Sequence, residues 1–139
     1  MVIKFFVDGI PVPKARPRFT SRSGFVRLYT PKKTKDYEQS IIDAFYDVRQ
    51  GQKPLMGSLR IIIDAYMSIP KGTSKKKREM IDNCEIRPIK RPDLDNIIKS
   101  VMDALNGVAY IDDGQIVSIA ACKYYSDEPH TSITIIGLD

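Results

Sequence analysis

Residues 58–69 constrain the fold more than any other stretch. Leu59, Ile61, Ile63, Ala65 and Met67 recur at every second position, the period of a β-strand. Ile62 and Tyr66 place apolar groups on the other face as well, which suits a central strand and not an edge. At 139 residues the chain is about one domain long, and its 42% hydrophobic content supplies one core. The expected organisation is therefore one domain over residues 1–139.

The other elements follow from periodicity and punctuation. Met1 to Asp8 reads as a strand rich in Val, Ile and Phe. Gly9 to Pro31 is broken by Pro11, Pro13, Pro17 and Gly24 and is too long for a simple turn. Lys33 to Arg49 is a helix, with Tyr37, Ile41, Ala44, Phe45 and Val48 at three- and four-residue steps, Thr34 as candidate N-cap and Gly51 closing it. A short helix is expected from Ser74 within Lys71 to Asp82. Asn96 to Leu105 is the second main helix, with Ile97, Ile98, Val101, Met102 and Leu105 on one face and Asn106-Gly107 ending it. Val108 to Ile111 reads as a short strand. Gln115 to Tyr124 and Thr131 to Ile136 read as two more, an antiparallel pair joined through residues 126–130. The order β-α-β-α-β-β predicts an α/β protein of the α+β kind, a mixed sheet with two main helices packed on one face.

Several classes drop out. The apolar runs, such as Ile61 to Ile63, are too short to cross a bilayer, and the alternating N-terminus is unlike a secretory signal. Cys84 and Cys122 give neither a disulfide framework nor zinc spacing, and they read as inert thiols in a reducing cytosol. His130 is the sole histidine, so Ser-His-Asp catalysis and histidine metal sites have little to work with.

Charge is distributed unevenly. The chain has 22 Lys and Arg against 17 Asp and Glu, but Lys14 to Lys35 holds eight basic residues and no acidic one. From Pro92 onward there are eight acidic residues and two basic. A basic front and an acidic back suggest an anionic partner held near a carboxylate cluster. Lys14, Arg16, Arg18, Arg22 and Arg27 are interleaved with Phe19, Phe25 and Tyr29; Lys75, Lys76, Lys77 and Arg78 form a second run; Arg87, Lys90 and Arg91 lead into Asp93. Cations mixed with aromatics fit a nucleic-acid surface that reads backbone in preference to bases.

Two carboxylate pairs bracket the second main helix: Asp93 and Asp95 at its start, Asp112 and Asp113 beyond its end. Each has an ordinary explanation, helix capping for the first and a turn before Gly114 for the second. Brought together, three or four such oxygens suit Mg²⁺ or Mn²⁺, which can activate water for in-line attack on a phosphodiester. Lys99 lies four residues from both Asp95 and Asp103 and would either form a surface ion-pair ladder or hold a phosphate.

The run Arg91-Pro92-Asp93-Leu94-Asp95-Asn96, with Lys99, Asp103-Ala104-Leu105, Asn106-Gly107 and Asp112-Asp113, resembles the RusA family of Holliday junction resolvases. Pro13-Lys14-Ala15-Arg16-Pro17-Arg18 looks like its phage and prophage branch. The resemblance implies a mixed sheet flanked by helices and a homodimeric endodeoxyribonuclease that cuts four-way DNA junctions by paired nicks with Mg²⁺ or Mn²⁺. It implies Asp93, Asp95 and Asp113 as catalytic carboxylates and metal ligands, Asp112 as a further ligand, Lys99 as catalytic lysine and Asp103 as their support. It implies no nucleotide cofactor and no membrane, and work in the cytoplasm of a bacterial or phage-infected cell. A four-way junction is roughly two-fold symmetric, so one acidic site per chain makes a C2 dimer the economical arrangement. The alternatives are a non-catalytic nucleic-acid-binding module of prophage origin and a nucleotidyl-transfer enzyme, although no Gly-rich phosphate loop precedes Asp93.

Overall fold

The computed structural model describes all residues except Arg22, Ser23 and Phe25. The four-stranded mixed sheet has the order β1-β6-β4-β5, with β1 Val2–Asp8, β4 Leu59–Ser68, β5 Ile116–Ser126 and β6 His130–Gly137. The strand with apolar residues on both faces is central: β4 pairs antiparallel with β6 and parallel with β5. Leu59, Ile61, Ile63, Ala65 and Met67 are buried, in one core with Phe5 and Val7 of β1 and Ile133 and Ile135 of β6.

Two helices, α1 (Lys32–Val48) and α3 (Leu94–Leu105), contribute to the same core. Tyr37, Ile41 and Phe45 of α1, and Ile97, Val101, Ala104 and Leu105 of α3, recur at three- and four-residue steps and are buried. Each fully buried aliphatic side chain stabilises the fold by about 1.5–3 kcal/mol. Phe45 meets Phe5 edge-on at 5.6 Å between ring centroids, and Tyr37 hydrogen-bonds Thr131 at 2.6 Å, tying α1 to both β1 and β6. The other sheet face is more open, with Val2 and Phe6 exposed and Ile62 and Tyr66 half-buried.

Four expectations are corrected. β5 and β6 do not pair; β4 lies between them, and the short link 127–129 passes over its end. Alternation shows which face of a strand is buried but not which strand lies beside it. Residues 108–111 form no strand: Tyr110 makes single bridges to Leu55 and Asn106. Pro31 and not Thr34 occupies the N-cap of α1; buried Thr34 instead accepts the Ala15 N–H at 3.4 Å through its hydroxyl. The segment after β1 is also not all loop, since β2 (Arg18–Thr20) and β3 (Arg27–Tyr29) form a two-stranded antiparallel ribbon. The short helix α2 (Lys75–Asp82) begins where expected, with the Ser74 hydroxyl accepting the Lys77 N–H at 3.2 Å.

Candidate active site

The start of α3 is anchored from the sheet. Lys123 of β5 donates from Nζ to the Lys90 carbonyl at 2.9 Å and to the Pro92 carbonyl at 3.0 Å. The Arg91–Pro92 peptide between these acceptors is cis. Asp93 then takes the N-cap position, but its side chain makes no capping bond. Asp95 Oδ1 accepts the Asn96 N–H at 3.0 Å. Both carboxylates are exposed, and neither forms an ion pair among the described residues. Cap preference alone does not account for Asp93.

The second pair sits on a braced turn. Asp112 accepts the Gly114 N–H at 2.9 Å. Gln115 Oε1 accepts the N–H groups of Ile111 and Asp112 at 2.7 and 3.1 Å, while its Nε2 donates to the carbonyls of Leu55 and Gly57 at 2.9 and 3.0 Å. Asp112 therefore serves the turn. Asp113 is different: it is half-buried, and its Oδ1 is buried without a hydrogen-bond partner among the described residues.

Buried Tyr110 links this turn to α3. Its hydroxyl donates to the Met102 carbonyl at 3.1 Å. Burial, then the charge of Asp113 and a polar contact with it, then the charges of Asp103 and Asp112, raise its pKa far above the ordinary 10 and keep it protonated. The charges of Asp113, Asp103 and Asp112 thus all act on one neutral phenol. Lys99 reaches Asp103 at 3.7 Å, so the ion-pair ladder exists on that side, but Lys99 forms no ion pair with Asp95.

The segment before β2 closes over α3. The Lys14 N–H donates to the Asn96 carbonyl at 2.9 Å, and Ser100 Oγ donates to the Val12 carbonyl at 2.8 Å. The Lys14 ammonium bridges Glu38 of α1 at 2.6 Å and Asp103 of α3 at 3.3 Å. Burial lowers the Lys14 pKa, but the two carboxylates outweigh it and leave the pKa raised.

An open groove of about 740 Å³ lies beside Asp93 and Asn96, lined by Lys14, Arg16, Lys33 and Arg91. Arg18 and Arg27 are exposed on the β2–β3 ribbon with Phe19 and Tyr29; Arg22 and Phe25 lie outside the described residues. Lys75, Lys76, Lys77 and Lys90 are exposed, whereas Arg78 pairs with Asp82 at 3.5 Å and with Asp127.

Among the described residues, no three His, Cys, Asp or Glu side chains already stand as a cage for one ion. The donor chemistry still fits Mg²⁺ or Mn²⁺. Mg²⁺ commonly takes only one or two carboxylates and fills its shell with water and substrate phosphate, and the unmet Asp113 oxygen is such a donor.

Lys123, Tyr110 and Gln115 are the site-building residues that sequence reasoning passed over. Only Gln115 carried a signal, because Asp112-x-x-Gln115 follows the capping-box spacing that the structure forms.

The fold and these residues define a small α+β protein with the Asp93 carboxylate in a cationic groove, the pairing expected of an enzyme acting on a polyanion. The family model for endodeoxyribonuclease RusA matches residues 8–136. The chain belongs to the RusA endodeoxyribonuclease family. It is also similar to the uncharacterized protein YqaN of Bacillus subtilis strain 168, 37% identical over 135 residues that cover 96% of this chain and 94% of YqaN. No helix among the described residues is long and apolar enough to cross a membrane.

Proposed function

We propose that the protein resolves four-way DNA junctions as a homodimer, each subunit making one of two symmetric, Mg²⁺- or Mn²⁺-dependent nicks. The observation that carries this reading is the carboxylate of Asp93, without an ion pair among the described residues, in a groove lined by Arg16, Lys33 and Arg91; the exposed Asp95 at the same helix start and the unmet Asp113 oxygen add to it. A protein that only bound DNA would gain nothing from uncompensated negative charge beside phosphate.

Asp93, Asp95 and Asp113, with Asp112, would hold the metal, which supplies an activated water and charge stabilisation at the leaving oxygen. Lys99 has a side chain that is 62% exposed, so it can turn to a phosphate while Asp103 restrains it. Tyr110, held neutral, donates a hydrogen bond to the Met102 carbonyl of the helix backbone and adds no further negative charge at physiological pH. Arg16, Lys33 and Arg91, with exposed Arg18, Arg27, Lys75, Lys76, Lys77 and Lys90, would hold the DNA backbone. The expected setting is the cytoplasm, where such junctions arise.

The test is a synthetic four-way junction incubated with Mg²⁺ or Mn²⁺, wild type beside Asp113→Asn. Paired symmetric nicks by the wild type, with binding but no cutting by the variant, are expected. Salt-sensitive binding without nicking by the wild type would reduce the protein to a binding module and overturn the proposal.

A further inference from the structure

Two clefts share a wall beyond the acidic residues. One, of about 420 Å³, collects Lys71, Lys77 and Lys90 beside Ser74 and Tyr125. None of these lysines is in an ion pair among the described residues. The other, of about 460 Å³, is lined by Tyr66, Tyr124, Tyr125, Arg87 and Cys84, with Asp82 and Asp127 at its border. Arg78 pairs with both of those carboxylates, so their charge is met. Ile81, Ile86 and Tyr125 line both clefts, which makes them neighbouring compartments.

The aromatic compartment has an ordered stack at its back. His130 stacks on Tyr66 at 4.3 Å and Tyr66 on Tyr124 at 5.2 Å. The Arg87 guanidinium lies over Tyr124 at 4.4 Å. Arg87 is exposed, so the column ends in a flat cation whose outer side is open to another planar group. Unpaired lysines beside a π-rich cleft are complementary to a phosphate and a base respectively. Both volumes fall in the roughly 300–1,000 Å³ range of small-ligand sites.

We infer that the two clefts take one unpaired deoxynucleotide of the DNA substrate, its base stacked on Arg87 against Tyr124 and its phosphate among Lys71, Lys77 and Lys90. A base inside a duplex has both faces covered by its neighbours and cannot enter, so the nucleotide comes from DNA opened at a branch. Its place relative to the cut follows from chain length. Lys90 and Asp93 are three residues apart, at most about 10 Å of chain, so a phosphate held at Lys90 lies within a few nucleotides of one at Asp93. The site therefore selects opened DNA near the cleaved phosphate, and it rests on the reading of the protein as a nuclease for branched DNA.

The experiment places 2-aminopurine at each position within four nucleotides of the cut, in junctions bound without divalent metal. Fluorescence should rise at one position with wild type. Arg87→Ala should remove that rise and weaken junction binding about fivefold or more. Lys71→Ala with Lys77→Ala should reduce the slope of log K against log salt by about one, the share of one phosphate. Lys53→Ala, which removes an exposed cation away from both clefts, should leave all three readouts unchanged. Unchanged thermal melting of each variant shows that folding is intact. The inference is overturned if no position brightens, or if brightening persists in Arg87→Ala because the junction opens by itself. A wild type that binds no junction would overturn the nuclease reading and this site with it.

Discussion

Replacing Asp113 by Asn should raise the melting temperature of the metal-free protein while removing its activity. Asp113 Oδ1 is buried with no hydrogen-bond partner among the described residues, and the Tyr110 hydroxyl, on which the charges of Asp113, Asp103 and Asp112 act, donates to the Met102 carbonyl. An unsatisfied buried polar atom costs about 1–3 kcal/mol, and more when it is charged. Asn keeps an unmet polar atom and loses only the charge, so the gain belongs at the low end, about 1 kcal/mol. For a domain of this length that is about 3–5 °C. Added Mg²⁺ should reverse the order. A ligand at one hundred times its Kd stabilises the folded state by about 2.7 kcal/mol, roughly 10 °C here, and the variant lacks a carboxylate to share in that gain. Calorimetry of both proteins in chelator, then across a Mg²⁺ series at constant ionic strength, reads both effects. A variant that melts at or below the wild type in chelator would refute the argument from unmet charge. Equal Mg²⁺ responses would remove Asp113 from the ligand set even if the first result held.

Lys123→Met keeps the apolar stem but loses both bonds to the carbonyls before Asp93; taking about 1.4 kcal/mol for their loss at this partly exposed site, the single-turnover cutting rate should fall about tenfold with junction Kd nearly unchanged. An unaltered rate would show that α3 needs no anchor from the sheet. Tyr37→Phe should destabilise the protein in urea by about 1–2 kcal/mol at neutral pH, because Thr131 loses its buried partner. The same variant should flatten the alkaline loss of stability. Burial, partly offset by the hydrogen bonds with Thr131 and the Val12 backbone, raises the Tyr37 pKa above the ordinary 10. Its contribution is then complete below pH 10 and is lost as pH rises from there toward the folded value, where the unfolded phenol ionises first. A slope identical to the wild type above pH 10 would contradict this.

Strands and helices were legible because their burial periods lie in the local sequence. β4 announced itself as central, and α3 showed its buried face. Partnership was not legible. A three-residue link between β5 and β6 looks like a hairpin until β4, far upstream, takes the position between them. The same holds within the site. Asp93, Asp95, Asp112 and Asp113 stood out by spacing, a property of the chain. Lys123 is a lone cation in a strand and Tyr110 a lone aromatic in a turn, and each acquires its role only from groups brought to it by folding.

The basic segment also divides in a way that charge counting cannot show. Among the described cations between Lys14 and Lys35, only Lys14 is in an ion pair, with Glu38 and Asp103. A cation taken partly out of water needs such partners, and two carboxylates on two helices fix its position as well as its charge. Lys14 therefore acts as a clasp that holds the segment against α3, where the Asn96 carbonyl also receives its N–H. Arg16 and Lys33 stay in the groove without an ion pair among the described residues, and Arg91 lines it with them and Asp93. Cations left hydrated give up little on meeting a phosphate, and each contact releases counterions to drive association. One clasped lysine thus sets where the others stand, and the free ones can still meet the strand that Asp93 must approach.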